Sequence, residues 1–482
     1  MREDIIGMDW REEDIRRFGR DVADLIADYR ASLETIAITP RAPESIGGLF
    51  GGPLPEEGTD PFTLLADVKG RVVPNSFHLA SPAYFGLFNP TPTVISIFAD
   101  AIASALNQNM AAWCHGPAGS EIENTVIRWL CDMAGYGPES FGTLTSGGSL
   151  ANFTAMKVAL NEKNPEIRRI GVAAAEGRPT IYVSTEAHYS IDRVGNLLGL
   201  GQEGLRRIRS DDGARVDLEA LEGQILADRA AGRLPFCVVG IAGTTTSGAI
   251  DPLEALADIC RRHHLWFHVD AAWGGAARLS RRHTSLLAGI ERADSITLDP
   301  HKWFSVPISA GAVVIKDGPA LRRTFEVRPS YVSDRAFTDH EDLNLFQFGV
   351  AGSRRLDALK VWLTLRQHGR LGYEQAIDRQ IALAEYLAMK IEADPSLELM
   401  SRPSLGVVCF RHVPQRSGGQ DGDLDALQMK IQQTVERAGR AWISTSMLNG
   451  RRVIRFCATS YLSRERHVDR LLEEIRSAAA TT

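Results

Sequence analysis

The sequence lacks the cysteine and apolar patterns that mark several protein classes. Its six cysteines include no Cys-x-x-Cys pair; they are Cys114, Cys131, Cys237, Cys260, Cys409 and Cys457. This scatter argues against a disulfide framework and a thiolate zinc site. No stretch reaches the roughly 20 apolar residues that a membrane helix needs. The acidic start of the chain also lacks the positive region of an export signal. We therefore expect a cytoplasmic protein with reduced thiols, no metal and no membrane partner.

Positive charge is also scarce. Lysine and arginine total 54 residues against 60 for aspartate and glutamate, which gives a formal net charge of -6. Proteins that bind nucleic acid or anionic membranes use an excess of basic residues to neutralise phosphate groups. Nucleic acid is therefore not an expected partner.

The chain is long enough for more than one core, with 482 residues of which 44% are hydrophobic. Residues 9–29 have the apolar period of an amphipathic helix, and Asp9 with Glu12 forms a predicted capping box. A Gly- and Pro-rich linker follows at 39–59. We expect the helix to be an arm that packs on something other than its immediate successor, within its own chain or across a dimer. The predicted divisions are an N-terminal arm and linker (1–75), a large domain (76–372) and a small C-terminal domain (373–482).

The central part of the chain has the pattern of a mostly parallel sheet. From residue 140 to about 316, short apolar runs alternate with helical patterns, as in βαβ units. The predicted strands are 142–145, 180–184, 206–209, 236–242, 265–270, 294–298 and 310–316. The predicted helices between them are 150–161, 191–200, 218–231 and 253–263. Beyond them we expect helices at 354–368, 373–394, 424–439 and 465–479, and strands at 406–411 and 453–457. The predicted fold class is α/β with a small C-terminal α+β domain.

Two motifs suggest other functions but lack the required context. Gly199-Leu-Gly-Gln-Glu-Gly204 matches the dinucleotide-binding fingerprint, yet a predicted helix precedes it and a strand follows, which is the reverse of the required order. We interpret these glycines as a helix end. His263, His264 and His268 have no neighbouring carboxylate or thiolate at metal-ligand spacing, so surface or core positions are expected.

Four chemically distinctive segments follow predicted strands, where open α/β sheets bind their ligands. The first, Thr145-Ser-Gly-Gly-Ser, begins a helix whose free backbone N–H groups could hold a phosphate, although the same residues also make an ordinary cap. The second, Glu186-Ala-His-Tyr-Ser, offers an imidazole that could stack on a planar ring or cap a helix.

The other two segments carry charge at the end of a buried strand. In His268-Val-Asp-Ala-Ala-Trp-Gly-Gly, the aspartate needs a positive partner because an isolated buried carboxylate is costly. In Asp299-Pro-His-Lys-Trp, partial desolvation would make Lys302 an imine-forming amine. Together the four segments supply what pyridoxal 5'-phosphate (PLP) requires: a phosphate cradle, a stacking ring, an acid for the ring nitrogen and an imine lysine.

These segments, together with Gly243-Thr-Thr-Thr-Ser-Gly-Ala-Ile-Asp, resemble the PLP-dependent group II amino-acid decarboxylases. That family includes the aromatic-L-amino-acid, tyrosine and glutamate decarboxylases. The resemblance extends from about residue 81 to residue 456. It implies a PLP-dependent transferase fold of the aspartate-aminotransferase type (fold type I). It also implies a homodimer with the active site at the subunit boundary and an N-terminal segment that wraps the partner.

The resemblance also implies roles for individual residues. Lys302 would form the Schiff base with PLP, Asp270 would pair with the pyridine nitrogen, and His188 would stack on the ring. The remaining cofactor contacts would come from Gly148, Ser149 and His301 at the phosphate and from Thr246 and Ala272 beside the ring. Ser353 is a candidate for a phosphate contact across the dimer, and Arg455 for the substrate carboxylate.

The segment near 328–348 resembles the family's mobile catalytic loop, in which a tyrosine protonates the carbanionic carbon. Tyr331 in this position favours simple decarboxylation, whereas phenylalanine would point to the related aldehyde-forming enzymes. The alternative is that Tyr331 only packs within a loop.

The sequence departs from the family pattern in several places. Asp299 stands where many relatives have asparagine, and its carboxylate would repel a phosphate unless water or a backbone amide intervenes. Ser81 replaces a common histidine. The substrate-pocket positions carry few aromatics, with Leu87, Asn89, Asn109 and Ala111.

We therefore expect a PLP-dependent carboxy-lyase that converts an L-amino acid to its amine and CO2, with aromatic substrates slightly favoured. The alternatives are a PLP-dependent aminotransferase or aldehyde-forming enzyme, and an inactive cofactor-bound binding protein. The last is disfavoured because Lys302, Asp270, His188 and Tyr331 are all present.

Overall fold

The computed structural model describes residues 8–40, 46–328, 343–414 and 421–481. Within them lie two β-sheets, each with a hydrophobic core of its own. The helices are α1 Glu12–Ser32, α2 Pro61–Asp67, α3 Val94–Leu106, α4 Pro117–Ala134, α5 Gly148–Lys163, α6 Ile167–Ile170, α7 Ser190–Leu197, α8 Leu218–Ala230, α9 Leu253–Arg262, α10 Pro319–Phe325, α11 Ala358–Glu392, α12 Asp421–Ala438 and α13 Glu465–Thr481.

The larger sheet has seven strands in the order β1-β7-β6-β5-β4-β2-β3. Strand β7 is antiparallel to both of its neighbours and the other pairs are parallel, so the predicted mostly parallel sheet is confirmed. All seven predicted strands are present: β1 Phe141–Thr145, β2 Pro179–Ser184, β3 Leu205–Ile208, β4 Leu234–Ile241, β5 Trp266–Asp270, β6 Ser295–Leu298 and β7 Gly311–Ile315.

The central strands of this sheet are almost wholly buried. Both of their faces therefore carry apolar side chains, as parallel sheets covered by helices on both sides require. The glycines of the dinucleotide-like motif end α7, because Gly199 and Gly201 adopt left-handed φ values of 73° and 66° before β3 begins. This confirms the interpretation of the motif as a helix end.

The smaller sheet is antiparallel, with strand order β10-β11-β9-β8. Its strands are β8 Leu397–Ser404, β9 Val407–His412, β10 Ser444–Leu448 and β11 Arg451–Cys457. Helices α12 and α13 pack on it and on each other, so the predicted α+β character of this part is confirmed. The two helices expected at 354–368 and 373–394 are the halves of α11, which is broken at Gly369 where φ is 59° and ψ is 178°.

One prediction for the N-terminal arm is wrong, and a second is confirmed in part. Helix α1 begins at Glu12 rather than at residue 9, and its N-cap Arg11 makes no side-chain cap. Asp9 accepts a hydrogen bond from the Trp10 N–H instead, so no capping box forms. The arm contacts its immediate successor, because the ring of Phe18 meets Phe62 of α2 edge-on at 5.7 Å. It also packs on distant parts of its own chain, because Arg30 donates to the Pro92 carbonyl and to the Tyr461 hydroxyl.

Helix α1 buries none of its residues completely, and Ile15 on its apolar side stays 54% exposed. Helix α3 buries Ser96, Ala99 and Ala103, whereas four of its large apolar residues are exposed, namely Val94, Phe98, Ile102 and Leu106. Among the described residues, no helix is both long enough and apolar enough to cross a membrane.

Candidate active site

A cavity of about 310 Å³ lies at the carboxyl edge of the larger sheet, and all four distinctive segments reach it. The segments follow β1, β2, β5 and β6, and the loop after β4 adds Gly243 and Thr245. Parallel strands end at the same sheet edge, which is why segments far apart in sequence meet here.

The Gly-Gly-Ser segment joins β1 to the first turn of α5. Gly147 has φ 156°, and a Cβ on Gly311 of β7 would lie 2.5 Å from the Gly147 Cα. The backbone approach is therefore too close for a side chain at Gly311. Gly148 opens α5, so the free N–H groups and positive end of a 16-residue helix face the cavity beside Ser149.

Lys302 lies in the loop between β6 and β7. Its Nζ is 3.0 Å from Asp299 Oδ2, and the lysine side chain is 24% exposed while that of Asp299 is 2% exposed. The loop is closed at both ends, because the His301 N–H donates to the Ala310 carbonyl and the Ala310 N–H donates to His301 Nδ1. This pairing fixes where the amine enters the cavity.

Asp270, at the end of β5, is held by neutral donors. Asn152 Nδ2 donates to Asp270 Oδ2 at 2.9 Å, and the Ala272 N–H donates to Oδ1 at 3.1 Å. Asn152 lies in α5 one turn after Gly148, so one helix carries both the glycine start and the support of the carboxylate.

A buried hydrogen-bond chain continues behind Asn152. Its Oδ1 lies 3.0 Å from His268 Nε2, and His268 Nδ1 lies 2.8 Å from Ser295 Oγ, which accepts from Trp266 Nε1. Because Asn152 Nδ2 is the donor to Asp270, its oxygen must accept from His268 Nε2–H, and His268 Nδ1 then accepts from the Ser295 hydroxyl. In this series of hydrogen bonds, each donor therefore points in the same direction, from Trp266 towards Asp270.

His268 is completely buried, and burial lowers its pKa from 6.5 to about 4. The imidazole is therefore neutral at physiological pH, as the hydrogen-bond chain requires. Among the residues that the structure describes, no cluster of His, Cys, Asp and Glu could hold a metal ion.

The two cavity histidines are also neutral at pH 7. Burial lowers the pKa of His188 and that of His301 below the usual 6.5, and the nearby carboxylates oppose this only in part. His301 Nδ1 accepts the Ala310 N–H, so the ring proton is on Nε2. His301 can therefore donate that proton to an anion in the cavity.

The structure brings most of the predicted site residues together. Those on the cavity wall are Gly148, Ser149, His188, Asp270, Ala272, His301 and Lys302. Thr246 does not line it: its hydroxyl lies 3.1 Å from Ser446 Oγ of the small sheet, and Thr245 takes its place. Ser353 is exposed and lines a separate hollow. Tyr331 lies outside the described residues.

Arg455 lies in β11, 3% exposed, with its Cζ 5.2 Å from the ring centroid of Phe88. Phe88 stacks in turn on Trp273 of the cavity wall, with the ring centroids 4.2 Å apart. Nη1 of Arg455 donates to Ser444 Oγ, whereas Nε and Nη2 are buried without a partner. Burying a guanidinium with two unpaired donors costs free energy, and an anion bound to those donors would offset that cost. The arrangement is therefore typical of an anion-binding position.

The donor set fits PLP. The walls of the cavity place a lysine amine, a carboxylate fixed by hydrogen bonds and a neutral imidazole near the N-terminal end of a helix. Comparison with known proteins agrees. A family described as "Pyridoxal-dependent decarboxylase conserved domain" matches residues 43–413.

The chain belongs to the pyridoxal-dependent decarboxylase family.

Among curated relatives, the aromatic-L-amino-acid decarboxylase of Bacillus atrophaeus is 34% identical over 470 residues, covering 97% of this chain and 96% of the relative. The cysteine sulfinic acid decarboxylase of Mus musculus is 36% identical over 328 residues, covering 68% of this chain and 66% of the relative. A solved structure of Oryza sativa TDC with PLP and tryptamine superposes with a TM-score of 0.91 at 27% identity, covering 98% of each chain.

Family membership confirms the resemblance seen in the sequence, the fold type I architecture, PLP as cofactor and a PLP-dependent carboxy-lyase activity on an amino acid. PLP supplies the electron sink that accepts the electrons released as CO2 leaves.

The sequence predictions did not include Asn152, and they gave His268 only a surface or core position. The one signal for Asn152 was its spacing of four residues from Gly148, which places both on the same face of a helix.

Proposed function

We propose that this decarboxylase acts on aromatic L-amino acids and releases the corresponding amine and CO2. The observation that carries the catalytic part is the convergence of Lys302, Asp270 and His188 on one cavity. The aromatic preference is supported by the stacked rings of Trp273 and Phe88, which extend from the cavity wall. It is also consistent with the similarity to an aromatic-L-amino-acid decarboxylase along nearly the whole chain.

We propose the following roles within that cavity. Lys302 bonds to the cofactor, Asp270 keeps its ring nitrogen protonated, and the neutral His188 stacks on the ring. The phosphate is held by Gly148, Ser149 and the Nε2–H of His301. Ala272 lines the ring, and Thr246 is retained only as a contact at the edge of the pocket because its hydroxyl is directed to Ser446.

A second candidate substrate class is acidic amino acids, and Arg455 is the observation that favours it. Its Nε and Nη2 are buried and unpaired, so a carboxylate or sulfinate on the substrate side chain would satisfy both. The similarity to a cysteine sulfinic acid decarboxylase supports the same alternative. If the substrate is aromatic, Arg455 is proposed to bind the α-carboxylate instead.

A substrate panel separates these candidates. Rates of CO2 and amine release are measured for L-tyrosine, L-tryptophan, L-glutamate, L-cysteine sulfinate and L-2,4-diaminobutyrate, with Arg455→Gln beside the wild type. The proposal expects the highest kcat/KM for an aromatic substrate. An acidic substrate that is preferred by the wild type, and whose advantage Arg455→Gln removes, would establish the second candidate instead.

The products test the type of reaction. We propose that Tyr331 protonates the substrate carbon after CO2 leaves, which gives an amine. Tyr331→Phe is then expected to shift the product towards aldehyde, and a keto acid formed without CO2 would indicate transamination. Lys302→Ala should abolish the visible absorbance of the bound cofactor, and an unchanged spectrum would refute the assignment of Lys302.

We further propose a homodimer whose arms (1–75) cover the partner, with the large domain (76–372) and the small domain (373–482) completing each protomer. The exposed apolar residues of α1 and α3 support this arrangement. So does the position of Ser353, which is exposed and free to reach a phosphate in the partner. All six cysteines are free and five are buried, which supports a reducing compartment such as the cytoplasm.

A further inference from the structure

Asp299 is a carboxylate fixed against the predicted phosphate position. It follows β6, and its N–H donates to the Ala272 carbonyl at 2.8 Å, which ties its backbone to the segment after β5. The side chain is 2% exposed. A Cβ on Gly148 would lie 2.7 Å from Asp299 Oδ2 and 3.3 Å from Oδ1, so the carboxyl group touches the first residue of α5.

The two oxygens of Asp299 are in different situations. Oδ2 pairs with Lys302 Nζ at 3.0 Å and lies 3.7 Å from His301 Nε2. Oδ1 is buried and has no hydrogen-bond partner. A buried carboxylate oxygen without a donor is costly, and here it belongs to a group on the cavity wall.

A phosphate at the start of α5 would therefore meet a second anion. The amine of Lys302 is committed to the cofactor aldehyde, and the remaining close neighbour, His301, is neutral because burial lowers its pKa. Two adjacent anions repel each other unless a proton lies between them. The second ionisation of a phosphate monoester has a pKa of about 6, so a proton between phosphate and carboxylate is chemically accessible near neutral pH. The resulting O–H···O⁻ bond would also give Asp299 Oδ1 a partner.

We propose that Asp299 shares a proton with the phosphate of PLP, so that cofactor binding by this chain is coupled to the uptake of one proton from solvent. The proton leaves hydronium or a buffer acid and forms an O–H bond to a phosphate or carboxylate oxygen, and no other bond forms or breaks. An asparagine at this position would donate an N–H to the phosphate and would need no proton. The inference rests on the proposed role of Gly148 and Ser149 in holding the phosphate.

Other titratable groups share this environment and must be considered. Lys302 and His301 lie in the same loop, His188 faces it from the segment after β2, and Asp270 and Lys360 contribute at longer range. All of them are kept when Asp299 alone is changed, so a comparison with Asp299→Asn isolates the carboxyl group.

The test is isothermal titration of PLP into cofactor-free protein at pH 8, in two buffers of different ionisation enthalpy. The wild type is expected to take up about one proton more than Asp299→Asn. Between pH 7 and 8.5, the Kd of the wild type for PLP should also rise by an additional factor of about ten per pH unit relative to the Kd of Asp299→Asn. Equal proton uptake and parallel Kd profiles would overturn the proposal.

Three further variants complete the design. Asp299→Ser removes the carboxyl group without adding an amide, so it must behave like Asp299→Asn even if that variant folds poorly. Asp192→Asn removes a half-exposed carboxylate of α7 that pairs with Arg207 of β3, and should match the wild type in proton uptake. Ser149→Ala should weaken PLP binding equally at every pH. If it binds PLP as the wild type does, the phosphate lies elsewhere and the proposed site fails together with this inference. If Ser149→Ala weakens binding but Asp299→Asn leaves proton uptake unchanged, only the inference about Asp299 fails.

Discussion

At the scale of single residues, the carboxylate of Asp270 is held entirely by neutral groups. A charged donor at Asn152 would compete with a pyridinium nitrogen for the same oxygen, whereas an amide fixes the carboxylate and leaves its charge available. The hydrogen bonds behind the amide are also made by neutral groups, because His268 and Ser295 orient Asn152 without adding charge. We therefore regard Asn152 and His268 as positioning residues for Asp270.

The first prediction concerns Asn152→Ala. Removal of a hydrogen bond to a charged group costs about 1.5–3 kcal/mol, so kcat should fall roughly 10- to 100-fold. The loss of the fixed carboxylate should also shift the pH titration of the cofactor's visible absorbance, which a purely structural defect would not change. Thr154→Ala, which affects a hydroxyl bonded only to the Leu150 carbonyl in the same helix, is the matched control. Equal titrations for the wild type and Asn152→Ala would contradict the role of Asn152.

The second prediction follows from the buried neutral His268. Its pKa in the folded protein is about 4, below the 6.5 of an exposed histidine, so the unfolded chain binds a proton more readily. Its contribution to stability is therefore lost as pH falls from about 6.5 to 4, up to roughly 3 kcal/mol. Urea unfolding at pH 7 and pH 5 should show a larger pH-dependent loss for the wild type than for His268→Gln. Identical losses would show that His268 is not the responsible group.

At the scale of elements, the hydrophobic pattern of the sequence predicted the buried strands and the site that follows them, but it did not predict the strands β8 and β10. The buried strands of the large sheet have continuous apolar runs, and the segments that follow them carry the site. Strand β8 was missed because it is an irregular strand at the edge of its sheet, with Pro403 and two register shifts. Strand β10 was missed because it is short and polar.

Helices α3 and α4 were also absent from the sequence predictions. In α3 four large apolar residues are exposed while the small Ser96, Ala99 and Ala103 are buried, so burial does not follow the apolar residues. The cavity wall carries Thr245 rather than Thr246, whose hydroxyl lies 3.1 Å from Ser446 Oγ. Sequence spacing cannot tell which of three consecutive threonines faces the cavity, because a turn sets their directions.

The third prediction concerns the contact between β7 and the loop before α5. In Gly311→Ala the new Cβ would lie 2.5 Å from Gly147 Cα, so backbone must move. We expect a loss of about 1–3 kcal/mol in stability, with weaker cofactor binding because the start of α5 shifts. Gly195→Ala in α7, where a Cβ has only ordinary contacts at 3.8 Å or more, should leave both quantities unchanged. Thermal unfolding and PLP titration measure the two effects, and normal PLP affinity in Gly311→Ala would contradict the coupling.

At the scale of the whole molecule, the fourth prediction concerns the apolar face of α3. Phe98 and Ile102 lie on one helix and are 40% and 48% exposed. Large apolar side chains exposed side by side are typical of a surface that binds another protein. If this face joins two protomers, Phe98→Glu should produce monomers and abolish activity, because the proposed site is completed by the partner. Arg261→Glu in α9, an exposed residue of a helix that packs on β4 and β5, is a control that should leave the oligomeric state unchanged. Sedimentation velocity measures the result, and a monomeric wild type would refute the proposal.

The lysine loop between β6 and β7 has a consequence for motion. Strand β7 runs antiparallel to β6 and lies beside it, and the two are joined by residues 299–310. Within this loop the His301 N–H donates to the Ala310 carbonyl. The reactive amine is therefore carried by a loop whose backbone is hydrogen-bonded to the residue just before β7. In hydrogen–deuterium exchange, the amide of His301 should open only with the sheet itself, so that the amine stays in place while its surroundings fluctuate.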